Sequence, residues 1–176
     1  MKNPLVAIIM GSDSDIPVME HAARLLEKFE VPFEMKIFSA HRTPDQAAEY
    51  VKGLAGRGIK VLIAGAGWAA HLAGAAAAQT SIPVVGVPID SSPLNGMDSL
   101  LSTVQMPPGV PVATMAIGKG GAFNAAVFAV RILSLLDPEL ARRYDSFAEQ
   151  MAEEVISDRN RKLQEYMAKR TESSDR

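Results

Sequence analysis

The chain has 176 residues, 48% of them apolar, and a formal net charge of −2 at pH 7. That length suits one domain around one core and that composition excludes a disordered chain, while the near-neutral charge gives no footing for nucleic acid. No run nears the roughly 20 apolar residues that span a bilayer, and the absence of cysteine removes thiol catalysis, disulfides and Cys-ligated zinc and fits a cytoplasmic protein.

The N-terminus enters a strand pattern at once, Val6–Met10, with no signal-peptide cleavage site before it. Asp15 is placed to cap a first helix, with Pro17 in its first turn and Val18, Ala22, Leu25, Leu26 and Phe29 as its apolar stripe. A second strand is expected over Phe33–Phe38. Thr43-Pro44-Asp45-Gln46 then reads as a capping box, opening a helix expected to stop near Gly56–Gly58. Further strands are expected over Ile59–Ala64, Val84–Val87 and Val112–Ile117. Short, near-continuous apolar runs suit strands covered on both faces. Their alternation with helices predicts a doubly wound α/β layer sandwich, with ligands beyond the carboxyl ends of the strands.

Asp137-Pro138-Glu139 starts a long charged helix with Leu140, Tyr144, Phe147, Met151 and Val155 along one side. The whole chain is expected to form one catalytic domain, a core of about 4–136 and a helical extension of about 137–170. The helix can lie on its own domain, but so narrow a stripe suits a neighbouring subunit better. The alanine-rich stretch Ala69, Ala70, Ala73 and Ala75–Ala78 points the same way, since it makes sense where backbones approach closely. The polar tail Thr171–Arg176 is expected to fray.

Three polar clusters each follow an expected strand and so gather at one edge. The first, Gly11-Ser12-Asp13-Ser14-Asp15, offers hydroxyls and free N–H groups at a helix start, which suit a phosphate. It lacks a P-loop lysine, and its aspartates would repel phosphate unless one faces a sugar hydroxyl; a plain capping turn is the bland reading. The second, Ser39-Ala40-His41-Arg42-Thr43, pairs a side chain that exchanges protons near neutrality with a fixed cationic fork. The third, Gly65-Ala66-Gly67-Trp68-Ala69-Ala70-His71, matches the form G-x-G-x-x-A, with Asp90 further on. The match is weak as a dinucleotide site, because it follows the third strand and Trp68 would crowd a pyrophosphate. A glycine-rich loop close to a flat ligand fits better, with His71 either lining the site or satisfied within the loop. His21 falls on the surface of the first helix, and no histidine pair has metal-ligand spacing. No metal is expected.

Together these stretches resemble the N5-carboxyaminoimidazole ribonucleotide mutase family of the first-class bacterial type. The likeness runs in order over roughly residues 5–136. It takes in Met10–Asp15, Ser39–Pro44, Ala64–Gly67 with His71-Leu72, Gly86–Pro88, Asp98–Pro107, Gly109–Thr114 and Ala116–Gly118. The chain departs from the family at Trp68, where a second glycine is usual, and at Ala73, where proline is usual.

The resemblance implies a flavodoxin-like three-layer sandwich with a central parallel sheet and a long C-terminal helix, assembled as a homo-octamer. It implies the conversion of N5-carboxyaminoimidazole ribonucleotide to 4-carboxy-5-aminoimidazole ribonucleotide in purine biosynthesis, without cofactor. By the same resemblance His41 transfers the proton, and Ser12, Asp15 and Arg42 hold the nucleotide. Ser14, Ser39, Gly67 and His71 are the further substrate-binding candidates. The related carboxylase class, which uses free carbon dioxide, carries lysine after its Ser-Ala-His triplet, so Arg42 favours the mutase. A non-catalytic nucleotide-binding module and a dinucleotide-dependent oxidoreductase are the readings of other classes.

Overall fold

The structure, a computed structural model, describes residues 3–174. Its first strand, β1 (Val6–Met10), coincides with the apolar run that predicts it, and all five residues are buried. There follow α1 (Ile16–Lys28), β2 (Phe33–Ile37), α2 (Pro44–Lys52), β3 (Val61–Gly67), α3 (Leu72–Ala77) and β4 (Val84–Ile89). Then come α4 (Met97–Val104), β5 (Ala113–Thr114) and α5 (Lys119–Ser134). Among the described residues the strands form one parallel sheet in the order β2-β1-β3-β4-β5. This is the flavodoxin-like order, and it reverses between β1 and β3, where such folds open a crevice beyond the strand ends.

Alternate residues along a strand face opposite ways, and that assigns the helices to layers. Ala7, Ile9, Leu62, Ala64 and Val84 join Val51 of α2 and Leu72, Ala73 and Ala76 of α3 in one buried cluster. The opposite face meets α1, since a Cβ on Gly65 would lie 2.2 Å from Met19 Sδ. Ile8 and Ile9 are wholly buried on these two faces, and truncating either to alanine costs about 2–5 kcal/mol.

β4 runs two residues past the expected Val87 and β2 stops one residue short of Phe38; three further elements differ from the sequence reading, each for a local reason. β3 begins two residues later than expected and continues through Gly67. Its glycines mark close packing inside a strand rather than a loop. β5 is only two residues long. Gly86 and Pro88 turn their carbonyls toward it, accepting from Met115 and Gly118, but Pro88 has no N–H to return and the ladder stops. α2 ends at Lys52, and a 3₁₀ turn (Ala55–Arg57) carries the chain on to Gly58 at φ 89°.

The edge strand β2 is half-exposed and owes its anchoring to polar groups. Glu34 accepts from Tyr50 Oη at 2.6 Å and from both terminal nitrogens of Arg57, at 2.6 and 3.1 Å. Although burial raises it, Glu34 is held below the ordinary carboxylate value by Arg57 and Tyr50, while burial and Glu34 push the Tyr50 phenol upward.

A division between Leu133 and Ser134 separates the C-terminal helices as a second compact unit. In it Asp137 accepts from the backbone N–H groups of Glu139 and Leu140, capping α6 (Pro138–Glu153) as its sequence suggests. A π-helical stretch (Glu154–Arg159) leads into α7 (Asn160–Ser174). Leu140 and Phe147 are buried, whereas Met151 and Val155 are about half-exposed. Of the tail expected to fray, Thr171–Ser174 is helical, and the rest lies outside the described residues. No helix among the described residues is long and apolar enough to cross a membrane.

Candidate functional site

Beyond the carboxyl ends of β1, β2 and β3 lies a cavity of about 690 Å³. Its wall includes Ser12, Ser14, Asp15, Ser39, His41, Arg42, Gly67 and His71, so every candidate from the sequence meets in one place. The size falls within the range of small-molecule sites, roughly 300–1,000 Å³. An apolar groove of about 260 Å³ lies alongside, between α2 and α3, and Asp45 is its one charged lining residue. The groups able to carry acid–base chemistry and bind an anion therefore gather at the larger, polar cavity.

The loop after β1 is built by its own side chains. Ser12 Oγ accepts from Ser14 N at 3.3 Å, and Asp15 Oδ2 accepts from Ser12 N at 3.0 Å. Ser12 thus caps a 3₁₀ turn (Asp13–Asp15) in a reciprocal box, and Asp15 makes no side-chain cap bond to α1. Burial raises the Asp15 carboxyl above the usual aspartate value, against the backbone N–H groups of Ser12 and Gly11; Asp13 adds a smaller upward push. The folded state then binds more protons than the unfolded chain between the ordinary and the raised pKa. Stability is lost as pH rises through that window. Asp15→Asn, which keeps an oxygen for Ser12 N–H, is expected to have a Tm at pH 7 equal to or above the parent's. A thermal melt series from pH 7 down to pH 3.5 checks this, and the difference should shrink toward acid.

The loop after β2 is held just as locally. Thr43 Oγ1 accepts from Ser39 N at 2.9 Å and donates to Ser39 O at 3.1 Å. Thr43 therefore closes this loop and does not form the expected capping box, because its hydroxyl is already committed. Ser39 Oγ accepts from Arg42 N at 3.1 Å and from Arg42 Nε at 3.4 Å. Arg42 is exposed, and among the described residues no carboxylate pairs with it. It also reaches a second hollow of about 390 Å³ shared with Gly11, Ser12 and Asp13. A guanidinium next to the hydroxyls of Ser12 and Ser14 is a donor set suited to an anionic phosphate.

The two histidines meet across the cavity. His41 Nε2 and His71 Nδ1 are 2.8 Å apart, with the rings edge-on at 5.0 Å between centroids. One nitrogen donates and the other accepts, so the pair holds a proton between them. His71 borders the same cavity and is hydrogen-bonded there to His41. His21 is half-buried on α1 and is not in this cavity. Ser91, after β4, completes the wall and was missed by sequence reasoning; its place just past a strand end was the available signal. Among the described residues no group of three or more His, Cys, Asp or Glu is placed to hold a metal ion.

The sequence profile described as AIR carboxylase matches residues 5–154. An N5-carboxyaminoimidazole ribonucleotide mutase of Bacillus subtilis is 58% identical over 153 residues, covering 87% of this chain and 94% of its own. The protein of the same description from Pyrococcus abyssi is 60% identical over 148 residues, 84% of each chain. Among solved structures, Treponema denticola PurE is similar at a TM-score of 0.81 with 32% identity, over 90% of this chain and 98% of its own.

Proposed function

This chain belongs to the AIR carboxylase family, and from that premise we propose how it works. It is an isomerase of purine biosynthesis that converts N5-carboxyaminoimidazole ribonucleotide into 4-carboxy-5-aminoimidazole ribonucleotide. The observation that carries the site assignment is the hydrogen-bonded His41–His71 pair beside Arg42 and the serine loop, around one cavity.

The carbamate C–N bond breaks with a proton delivered to the exocyclic nitrogen, releasing carbon dioxide inside the cavity. The enamine-like C4 of the aminoimidazole attacks that carbon dioxide, and the C4 proton then leaves to restore the ring. One proton is consumed and one released, so a single residue serves both steps. His41 is that residue, and His71 holds its ring in place through the shared hydrogen bond. Arg42, Ser12 and Ser14 take the phosphate, Asp15 the ribose hydroxyls, and Ser39 fixes the Arg42 fork. Gly67 keeps the wall close, because a Cβ there would sit 1.8 Å from Ser91 Oγ. Confinement of the reactants supplies much of the rate, since effective concentrations of about 10⁵ M or more are attainable in well-oriented pairs. The chemistry asks for no redox group or metal.

The purified chain should turn over the carbamate ribonucleotide far faster than it carboxylates aminoimidazole ribonucleotide with bicarbonate. The reverse preference would make it the carboxylase. Binding without either turnover would make it a non-catalytic module.

The working form is a homo-oligomer, an octamer by family likeness. Leu94, Met97, Leu101 and Val104 support this as an exposed apolar stripe entering and following α4 at helical spacing. The alanine stretch gives less support than its sequence suggests, since α3 spans six residues and Ala73 and Ala76 are already buried. Light scattering at micromolar protein is expected to show one large species. A monodisperse, active monomer would refute assembly, and a stable dimer or tetramer only the number. A cytoplasmic location follows from the substrate, a phosphorylated nucleotide too charged to cross a bilayer unaided.

A further inference from the structure

Trp68 is the wall residue that proton transfer and phosphate binding leave unused. It is the chain's sole tryptophan, it lines the cavity, and it remains 60% exposed. Its φ of 54° lies in the left-handed region, where a side-chain-bearing residue is strained. The loop has little slack to relieve that strain. Gly67 before it is packed against Ser91 and the Ile89 carbonyl, Ala70 after it is buried, and His71 is tied to His41.

A strained backbone and an exposed indole thus coincide at one position on a polar cavity, and such coincidences cluster where a ligand is held. The hydroxyls, the carboxylate, the guanidinium and the imidazoles answer to the phosphate, the sugar and the proton. The remaining apolar lining is Ala40, Ala66, Ala69 and Leu72, none of which offers a flat face. We propose that Trp68 is the platform for the base: its indole stacks on the aminoimidazole ring of the bound ribonucleotide. This rests on the reading of the cavity as the ribonucleotide site, and it names the residue that distinguishes a base-bearing ligand from a bare sugar phosphate.

Because no other tryptophan is present, emission excited at the indole reports on this residue alone. Full-length protein is titrated with aminoimidazole ribonucleotide and, separately, with ribose 5-phosphate, with binding of each followed in parallel by calorimetry. Aminoimidazole ribonucleotide is expected to quench the emission, and ribose 5-phosphate to bind more weakly without quenching. Trp68→Gly should raise the Kd for aminoimidazole ribonucleotide about fivefold or more, as loss of base stacking does. It should leave the Kd for ribose 5-phosphate unchanged, and Trp68→Phe should recover most of the loss. Unaltered emission on calorimetrically proven nucleotide binding, in an enzyme that still turns over, overturns the platform and spares the site. Equal Kd values in parent and Trp68→Gly do the same, including when the variant's oligomeric state shifts. Failure of both ligands to bind overturns the site and the platform together.

Discussion

Replacing His41 with asparagine is expected to lower turnover by about a hundredfold or more, since general acid–base groups contribute 10²–10⁴-fold, while leaving nucleotide binding measurable. Asparagine keeps a polar side chain toward His71 but cannot exchange a proton. His41 is exposed at the cavity and hydrogen-bonded to His71, so the substitution leaves the core untouched. The phosphate donors, Arg42 and the serine loop, stay in place. Steady-state kinetics with parallel calorimetry separates the two effects: kcat should collapse and Kd should move little. A variant keeping more than about a tenth of the parent rate contradicts the proton-transfer role.

Arg42→Leu is expected to weaken ribonucleotide binding by about 10- to 100-fold, the range for losing hydrogen bonds to a charged group. The effect must act through the phosphate. The affinity for the dephosphorylated riboside should therefore be nearly unchanged, whereas Asp15→Asn should weaken riboside and nucleotide alike. Leucine also removes the bond from Nε to Ser39 Oγ, and the bond from Arg42 N keeps the loop closed. Equal losses for riboside and nucleotide in Arg42→Leu would place the guanidinium elsewhere than on the phosphate. Raised salt should weaken the parent more than the variant, since a partly exposed charge pair is screened.

The sheet was legible because burial writes itself into sequence. Val6–Met10 and Val84–Ile89 are unbroken apolar runs and are the fully buried strands. The glycines of β3 misled, because glycine signals a turn as readily as a close approach, and only the position of Met19 and Ser91 tells which. Thr43 and Asp15 were read as caps from their spacing to the next helix. The structure spends both side chains inside their own loops, a choice that local pattern does not encode.

The candidate site was legible at the level of its loops, since in a parallel sheet every strand end points to the same edge. Its pairings were not. His41 and His71 are 30 residues apart and belong to loops after β2 and β3, so only the strand order, with β1 between them, sets their distance. Ser91 carries no motif and joins the wall solely because β4 borders β3. The stripe on α4 escaped notice because its helix is short and its buried polar face, Ser99 and Thr103, hides the amphipathic pattern.

Movement of the carboxyl group within one cavity, without exchange with solvent, is tested most directly by isotope retention. N5-carboxyaminoimidazole ribonucleotide labelled with ¹³C in its carbamate is turned over by the parent enzyme in excess unlabelled bicarbonate. Most of the label is expected in the C4 carboxyl of the product, because carbon dioxide held beside C4 recombines before it escapes. Product carrying only unlabelled carbon, at full turnover, would contradict a trapped intermediate and return the chain to the carboxylase reading.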